Sequence, residues 1–170
     1  MTLKKNINGK KGYDTKSNEI LLPIDYIYYP LRASKNRLYN SSSNGVATHT
    51  DVEFAKQNAF LELIERDAFI RSWVNCIKLK QLPDETLPID IKESKETALS
   101  LGCNLSFYVL PQNDVPTIMS IITTSKKPFF VMGCSSAVSY TAAAEKASTE
   151  AIVQLLSKSI TKVAKQEISD

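Results

Sequence analysis

The stretch from Thr50 to Val74, TDVEFAKQNAFLELIERDAFIRSWV, decides the fold. It holds no Gly or Pro, is rich in Ala, Leu and Glu, and opens on Thr50 and Asp51, whose side-chain oxygens suit a helix N-cap, so it predicts one long helix. On a wheel at about 100° per residue, Glu53, Lys56, Gln57, Asp67 and Arg71 gather on one side, as a solvated face requires. Asn58, Glu62, Glu65 and Arg66 gather on the other, among Phe54, Ala55, Ala59, Leu61, Phe69 and Trp73. Carboxylates one turn apart on an apolar face repel each other and are costly to desolvate unless a cation compensates them. Mg²⁺ suits such a pair, because it takes one or two carboxylates and completes its shell with water and phosphate oxygens. Arg66 would then meet a phosphate. The plainer alternative is a helix pair of Glu62 with Arg66 at i, i+4, with Glu65 reaching solvent. Phe60 and Ile64 fall on the solvated side, so this helix is expected to be contacted from more than one direction.

Downstream, a second helix is expected over about Ile91 to Leu101, ended by Gly102 in the position that favours glycine. Three strand-like runs follow, Asn104 to Leu110, Thr117 to Thr123 and Pro128 to Met132, and Lys126-Lys127 fits a hairpin tip. A last helix from about Thr141 to Lys158 or beyond begins with Ala142, Ala143, Ala144, Ala147 and Ala151, small residues that allow close packing on a sheet. Upstream, Ser41 to Gly45 carries the Asn-Gly signal of a tight turn. Leu21 to Leu31, broken by Pro23 and Pro30, suits an edge segment or packed loop. Residues 1–20, with Lys4, Lys5, Lys10, Lys11 and Lys16, read as a mobile basic arm, and 21–170 as the folded part. The order predicts an α/β (α+β) fold: a mainly antiparallel sheet packed against a long helix near 50–74 and an alanine-rich C-terminal helix.

Composition narrows the function classes. With 43% hydrophobic and 23% charged residues the chain is globular, and 170 residues suit one core. Lys+Arg 21 against Asp+Glu 18 leaves +3, too small an excess to argue for nucleic acid. No run of about 18 apolar residues and no signal-peptide pattern is present, so no membrane partner and a cytoplasmic place are expected. Cys76, Cys103 and Cys134 fit neither a disulfide framework nor a zinc site and read as reduced core thiols. His49, the single histidine, is either a general base beside the long helix or a capping and surface residue. Cys134, in Gly133-Cys134-Ser135-Ser136, is either a small core residue or a nucleophile.

In the last helix Lys146, Glu150 and Gln154, spaced by four, form a polar stripe beside the alanines, whose plain reading is a solvated face. Together with Ser43-Asn44-Gly45-Val46-Ala47 and the run Asn58 to Ala68 (NAFLELIERDA), these pieces complete a pattern. The turn and run resemble the signature of the YcaO family, an S-N-G-x-A turn leading into a helix that ends E-x-x-E-R-D-A. Gly133 to Ala137, Ala143 to Lys146, Glu150-Ala151 and Gln154 resemble the family's second conserved helix. The resemblance spans about Leu21 to Leu156, so 21–170 is expected to be a partial YcaO-like domain.

The resemblance implies an enzyme using ATP and Mg²⁺ to phosphorylate a peptide-bond oxygen after a nucleophile attacks the amide. The expected products are thiazoline or oxazoline rings in a ribosomally made precursor peptide, delivered by a leader-peptide-binding partner protein. Carried over, Glu62 and Glu65 are the metal carboxylates; Ala47, Thr50, Asn58, Arg66, Lys146 and Glu150 border the nucleotide; no catalytic group is assigned. The chain departs from the pattern at Phe54, where the family usually has a second carboxylate beside Glu53, and at His49, where glycine is common. A complete family domain is roughly twice as long. The resemblance therefore also admits a non-catalytic or split chain that docks on a complementary or full-length YcaO chain, and a fragment with exposed apolar surface is expected to self-associate.

Overall fold

A computed structural model describes residues 9–14, 16–29, 42–100, 102–111, 114–124 and 130–167. The chain divides between Val46 and Ala47 into two compact units. In the first, β1 (Gly9–Tyr13) and β2 (Glu19–Pro23) form an antiparallel hairpin in the register Gly9↔Pro23 to Tyr13↔Glu19. Its turn is organised by Asp14, whose carboxylate accepts from the backbone N–H groups of Lys16 and Asn18 at 2.8 and 2.9 Å and from the Asn18 side chain at 2.9 Å. Those bonds, the Asn18 side chain first, hold the Asp14 carboxyl below its ordinary value. Within the stretch read as a basic arm, residues 9–13 thus form a strand. GKKGY has no apolar alternation to announce it; the backbone ladder holds it, and the exposed 2.9 Å ion pair of Lys11 with Glu19 adds little. Residues 1–8, like Lys126-Lys127 and the start of the third strand-like run, lie outside the described residues. Asn44 and Gly45 make the expected turn, with Gly45 at φ 73°.

The second unit runs α1 (Val52–Val74), β3 (Lys80–Gln81), a 3-10 turn (Asp84–Thr86), α2 (Ile89–Ser100), β4 (Cys103–Val109), β5 (Thr117–Thr124), β6 (Phe130–Ser136) and α3 (Tyr140–Glu167). The strands form one antiparallel sheet in the order β3-β4-β5-β6. Alternation along the strands sorts the side chains by face. Leu105, Phe107, Ile118, Ile122 and Val131 join Leu87 and Ile91 and the α3 alanines Ala143, Ala144, Ala147 and Ala151 in the larger core. Met119, Ile121, Met132 and Cys134 point the other way and meet Ala68 and Phe69 of α1. The expected α+β architecture, long helix and alanine-rich last helix are all present. β3 is absent from the sequence reading, and β6 extends through Cys134–Ser136, a stretch read as a loop.

Gly133 fixes the seating of α3 on β6. A Cβ there would lie 2.1 Å from the Ala147 carbonyl oxygen and 2.8 Å from the Ala151 nitrogen, both backbone atoms that cannot swing aside. The same Ala147 carbonyl accepts a 2.7 Å hydrogen bond from the buried Ser120 hydroxyl. Gly133→Ala is accordingly expected to destabilise by about 3 kcal/mol or more, since overpacking against rigid backbone forces the helix off the sheet. Gly102→Ala, at φ +73° but with open space around the new methyl, is expected to lose only about 1 kcal/mol. Urea unfolding of the two variants checks the order.

Candidate functional site

The start of α1 is built by Asp51, whose carboxylate accepts from the N–H groups of Glu53 and Phe54 at 2.8 and 3.2 Å. His49 extends the cap: its Nδ1 accepts from the Asp51 N–H at 3.0 Å, and its ring lies 5.2 Å from that of Phe54. Of the two readings of His49, this geometry matches the capping one, with the residue exposed and one ring nitrogen committed to backbone.

About four turns into the helix, at 3.6 residues per turn, where Glu65 and Ala68 lie, α1 passes across β6, the last strand of the sheet among the described residues. An edge strand has backbone N–H groups that no neighbouring strand takes. Glu150, reaching from α3 on the opposite face, accepts the Cys134 N–H with its Oε2 at 2.9 Å. Glu65, buried at 8% exposure, comes to the same edge from α1. Arg66 Nη1 lies 3.2 Å from Glu65 Oε1, and Nη2 lies 3.9 Å from Glu62 Oε1. The closer contact is not aligned for a hydrogen bond, so Glu65 Oε1 is buried without a hydrogen-bond partner among the described residues.

Burial pushes the Glu65 carboxyl up to about 7; the charges of Glu150 and Glu62 add to this, while Arg66 and a backbone hydrogen bond from Ser136 oppose it. The Cys134 thiol is pushed up to about 12, by burial first and then by Glu65 and Glu150. A thiol that stays protonated is a poor nucleophile, which favours the core reading of Cys134. Cys103 is also buried, whereas Cys76 is exposed at φ 49° in the turn after α1, which corrects its reading as a core thiol.

The structure therefore brings together Glu62, Glu65 and Arg66 of α1 with Glu150 of α3. Asn58 and Lys146 stand exposed one turn before Glu62 and Glu150, while Thr50, exposed, and Ala47, half-buried, lie in the segment leading to α1. None of these four makes a side-chain hydrogen bond or ion pair to the cluster among the described residues. The edge amides of Cys134 and Ser136 were missed by the sequence reading; the small, polar Gly-Cys-Ser-Ser run was their one signal. Two hollows, of about 710 Å³ beside Lys80 and Tyr140 and about 570 Å³ beside Trp73 and Met119, are lined by none of the cluster residues. The carboxylates sit on an open strand edge.

Among the described residues no group of three or more His, Cys, Asp or Glu side chains is placed to hold a metal ion by itself. Glu65 Oε1, buried without a hydrogen bond among the described residues and facing only the Arg66 guanidinium at 3.2 Å, nonetheless fits a cation whose remaining ligands come from elsewhere. That is the habit of Mg²⁺, which takes one or two carboxylates and fills its shell with water and phosphate oxygens.

The family model described as YcaO cyclodehydratase, ATP- and Mg²⁺-binding, matches residues 5–168. Among solved structures, the chain is similar to a heterocyclase in complex with substrate and cofactor, with TM-score 0.79 and 20% identity over 85% of this chain and 20% of that one. YcaO from Methanopyrus kandleri bound with AMPPCP and Mg²⁺ gives 0.71 and 18% over 82% of this chain and 38% of that one. The E. coli microcin synthetase McbBCD complex with pro-MccB17 bound gives 0.72 and 15% over 94% of this chain and 43% of that one. At these identities the likeness is one of fold, and the chain spans a minor part of each of these proteins. No curated protein matches it in sequence.

The raised Glu65 value has a measurable consequence. As pH rises, the unfolded chain releases this proton first, near the ordinary 4.5, while the folded chain holds it to about 7. Stability is thus fully present below about 4.5 and is lost between there and 7, by a difference on the order of 3 kcal/mol. Urea unfolding from pH 4.5 to 8 is expected to show the parent losing stability relative to Glu65→Gln across this window. Parallel curves would show that Glu65 ionises normally.

Proposed function

Because the chain belongs to the YcaO family, we propose that the cluster at the β6 edge is the Mg²⁺ and nucleotide side of a site for ATP-dependent activation of peptide backbone amides. The reaction class is azoline formation, thiazoline or oxazoline, in a ribosomally made precursor peptide brought by a leader-peptide-binding partner. The observation that carries this reading is the buried Glu65 oxygen without a hydrogen-bond partner, beside Glu62 and Glu150 and with one guanidinium to balance three carboxylates. Such an arrangement is costly in the free protein and is relieved by an added cation.

Glu62 and Glu65 would hold the metal. ATP, when bound, supplies the phosphoryl group for the oxygen of the attacked amide. Arg66, held between Glu62 and Glu65, orients its guanidinium for phosphate oxygens, which it recognises through paired N–H donors. Glu65, with a value near 7, gives up its proton as a cation approaches. Glu150 is kept in place by the Cys134 amide. Asn58, Ala47 and Thr50 would contact the nucleotide, and Lys146 would border it.

A second reading has its own support. Phe54 stands exposed one residue after Glu53 at the start of α1, and the described residues hold no complete metal cage. On that basis the chain is a split or non-catalytic member that docks on a complementary or complete YcaO chain.

Calorimetric titration with ATP, with and without Mg²⁺, tests the proposal without the unknown peptide. Binding that requires Mg²⁺ is expected, weakened at least about tenfold, or 1.4 kcal/mol, by Glu65→Gln or Glu62→Gln. ATP turnover by the chain alone is expected to stay below about 1 s⁻¹, because phosphoryl transfer needs its full set of metal and phosphate contacts. Absence of nucleotide binding would leave the docking reading.

A further inference from the structure

Two hydrogen bonds tie α3 to the sheet beside the cluster. At the open edge of β6, Glu150 Oε2 accepts the Cys134 N–H at 2.9 Å. One strand further in, the hydroxyl of Ser120 on β5, a fully buried residue, donates to the Ala147 carbonyl oxygen at 2.7 Å. Ser120 pairs across the sheet with Gly133, the residue whose missing Cβ leaves room for that same carbonyl. Glu150 follows Ala147 by three residues, about 4.5 Å along the helix axis, and Cys134 follows Gly133 by one. The two bonds therefore lie side by side on neighbouring strands, one inside the core and one at its edge.

The acceptor has no need of the Ser120 bond. In the α3 ladder the Ala147 carbonyl already takes the Ala151 N–H, the bond between residues four apart in a regular helix, so removing the hydroxyl orphans no backbone group. Apolar packing does not set the helix finely either. The side chains that α3 lays on the sheet here, Ala143, Ala144, Ala147 and Ala151, are single methyls, which make shallow ridges that resist sliding weakly. A hydrogen bond is directional and is lost by about 3.6 Å, so the 2.7 Å Ser120 contact selects one height and one rotation of α3. We propose that Ser120 is a positioning residue: by pinning Ala147 it holds Glu150 where its carboxylate reaches around β6 to the Cys134 amide. Glu150 is half-buried and has a flexible stem, so without the pin its carboxylate leaves the edge for solvent. What the held carboxylate serves rests on the functional reading above; the positioning itself involves neither nucleotide nor metal.

Amide hydrogen exchange, read residue by residue by NMR without nucleotide, tests this in Ser120→Ala, Glu150→Ala and the double variant. Ser120→Ala is expected to speed exchange of the Cys134 amide about tenfold, the worth of a hydrogen bond to a charged acceptor. Gly133 and Ser135, whose amides point into the sheet because that of Cys134 points out, are expected to exchange as in the parent. On the Glu150→Ala background the Cys134 amide has already lost its acceptor, so adding Ser120→Ala is expected to change nothing further. A merely structural serine would instead speed exchange along the whole strand and in both backgrounds. Ser120→Cys, similar in size and with a weak S–H donor, is expected to fall between the parent and Ser120→Ala, and it carries the test should Ser120→Ala not fold. In calorimetric titration with Mg²⁺ and ATP, Ser120→Ala is expected to bind more weakly than the parent, with no added loss once Glu150 is replaced. A Cys134 amide indifferent to Ser120→Ala, exchange raised equally along β6, or a Ser120→Ala chain that matches a nucleotide-binding parent in affinity would each overturn the proposal. A parent that binds no nucleotide would end the functional reading, and the exchange rates alone would then decide the role of Ser120.

Discussion

Among the described residues β6 is the last strand of the sheet, and its outward backbone amides meet side chains in place of a further strand. Glu150 takes the Cys134 amide, and Ser136 contributes its own to the surroundings of Glu65. Because α1 and α3 lie on opposite faces of the sheet, the open edge is where carboxylates from both helices can converge. Had β6 been an interior strand, Glu65 and Glu150 would face separate layers. Gly133 keeps that convergence possible: without a Cβ, the α3 backbone comes near enough for Glu150 to reach around the strand.

The same convergence opposes stability. Glu62 and Glu65 share one partly solvated guanidinium, the charge of Glu150 adds to theirs, and the most buried carboxylate, Glu65, has an oxygen without a hydrogen-bond partner among the described residues. Burying a carboxylate without full compensation is unfavourable, and a protein selected for stability alone would place an apolar residue at Glu65. The alanine seam of α3, the Ser120 bond to Ala147 and the two-sided core offset that strain. The arrangement is easiest to understand if a cation and its ligands complete it.

Much of this was legible in the sequence, because long periodic segments carry their own evidence. α1, α2 and α3 were readable from absent Gly and Pro, from Gly102 and from the alanine spacing, and β4 and β5 from β-branched and aromatic runs between turn residues. β1 and β3 were not, since GKKGY and Lys80–Gln81 are strands only by virtue of the backbone they pair with. The end of β6 hid in Gly-Cys-Ser-Ser, residues with weak strand preference. At the site, the wheel placed Glu65 on the apolar side, and its burial agrees. The approach of Glu150 to the same edge depends on the tertiary seating of α3 and has no signature within either helix. Ala47, Thr50, Asn58 and Lys146 rest on family resemblance, and among the described residues their side chains make no hydrogen bond or ion pair to the cluster.

The central claim is that Glu65 is an unfavourably buried carboxylate awaiting a cation. It is tested most directly by following its side-chain carboxyl carbon by NMR through a pH titration, with and without Mg²⁺ and ATP. The account predicts a midpoint near 7 in the free protein and a downward shift when Mg²⁺ and nucleotide are present together. A midpoint near the ordinary 4.5 in the free protein, or one near 7 that neither ligand moves, would contradict it.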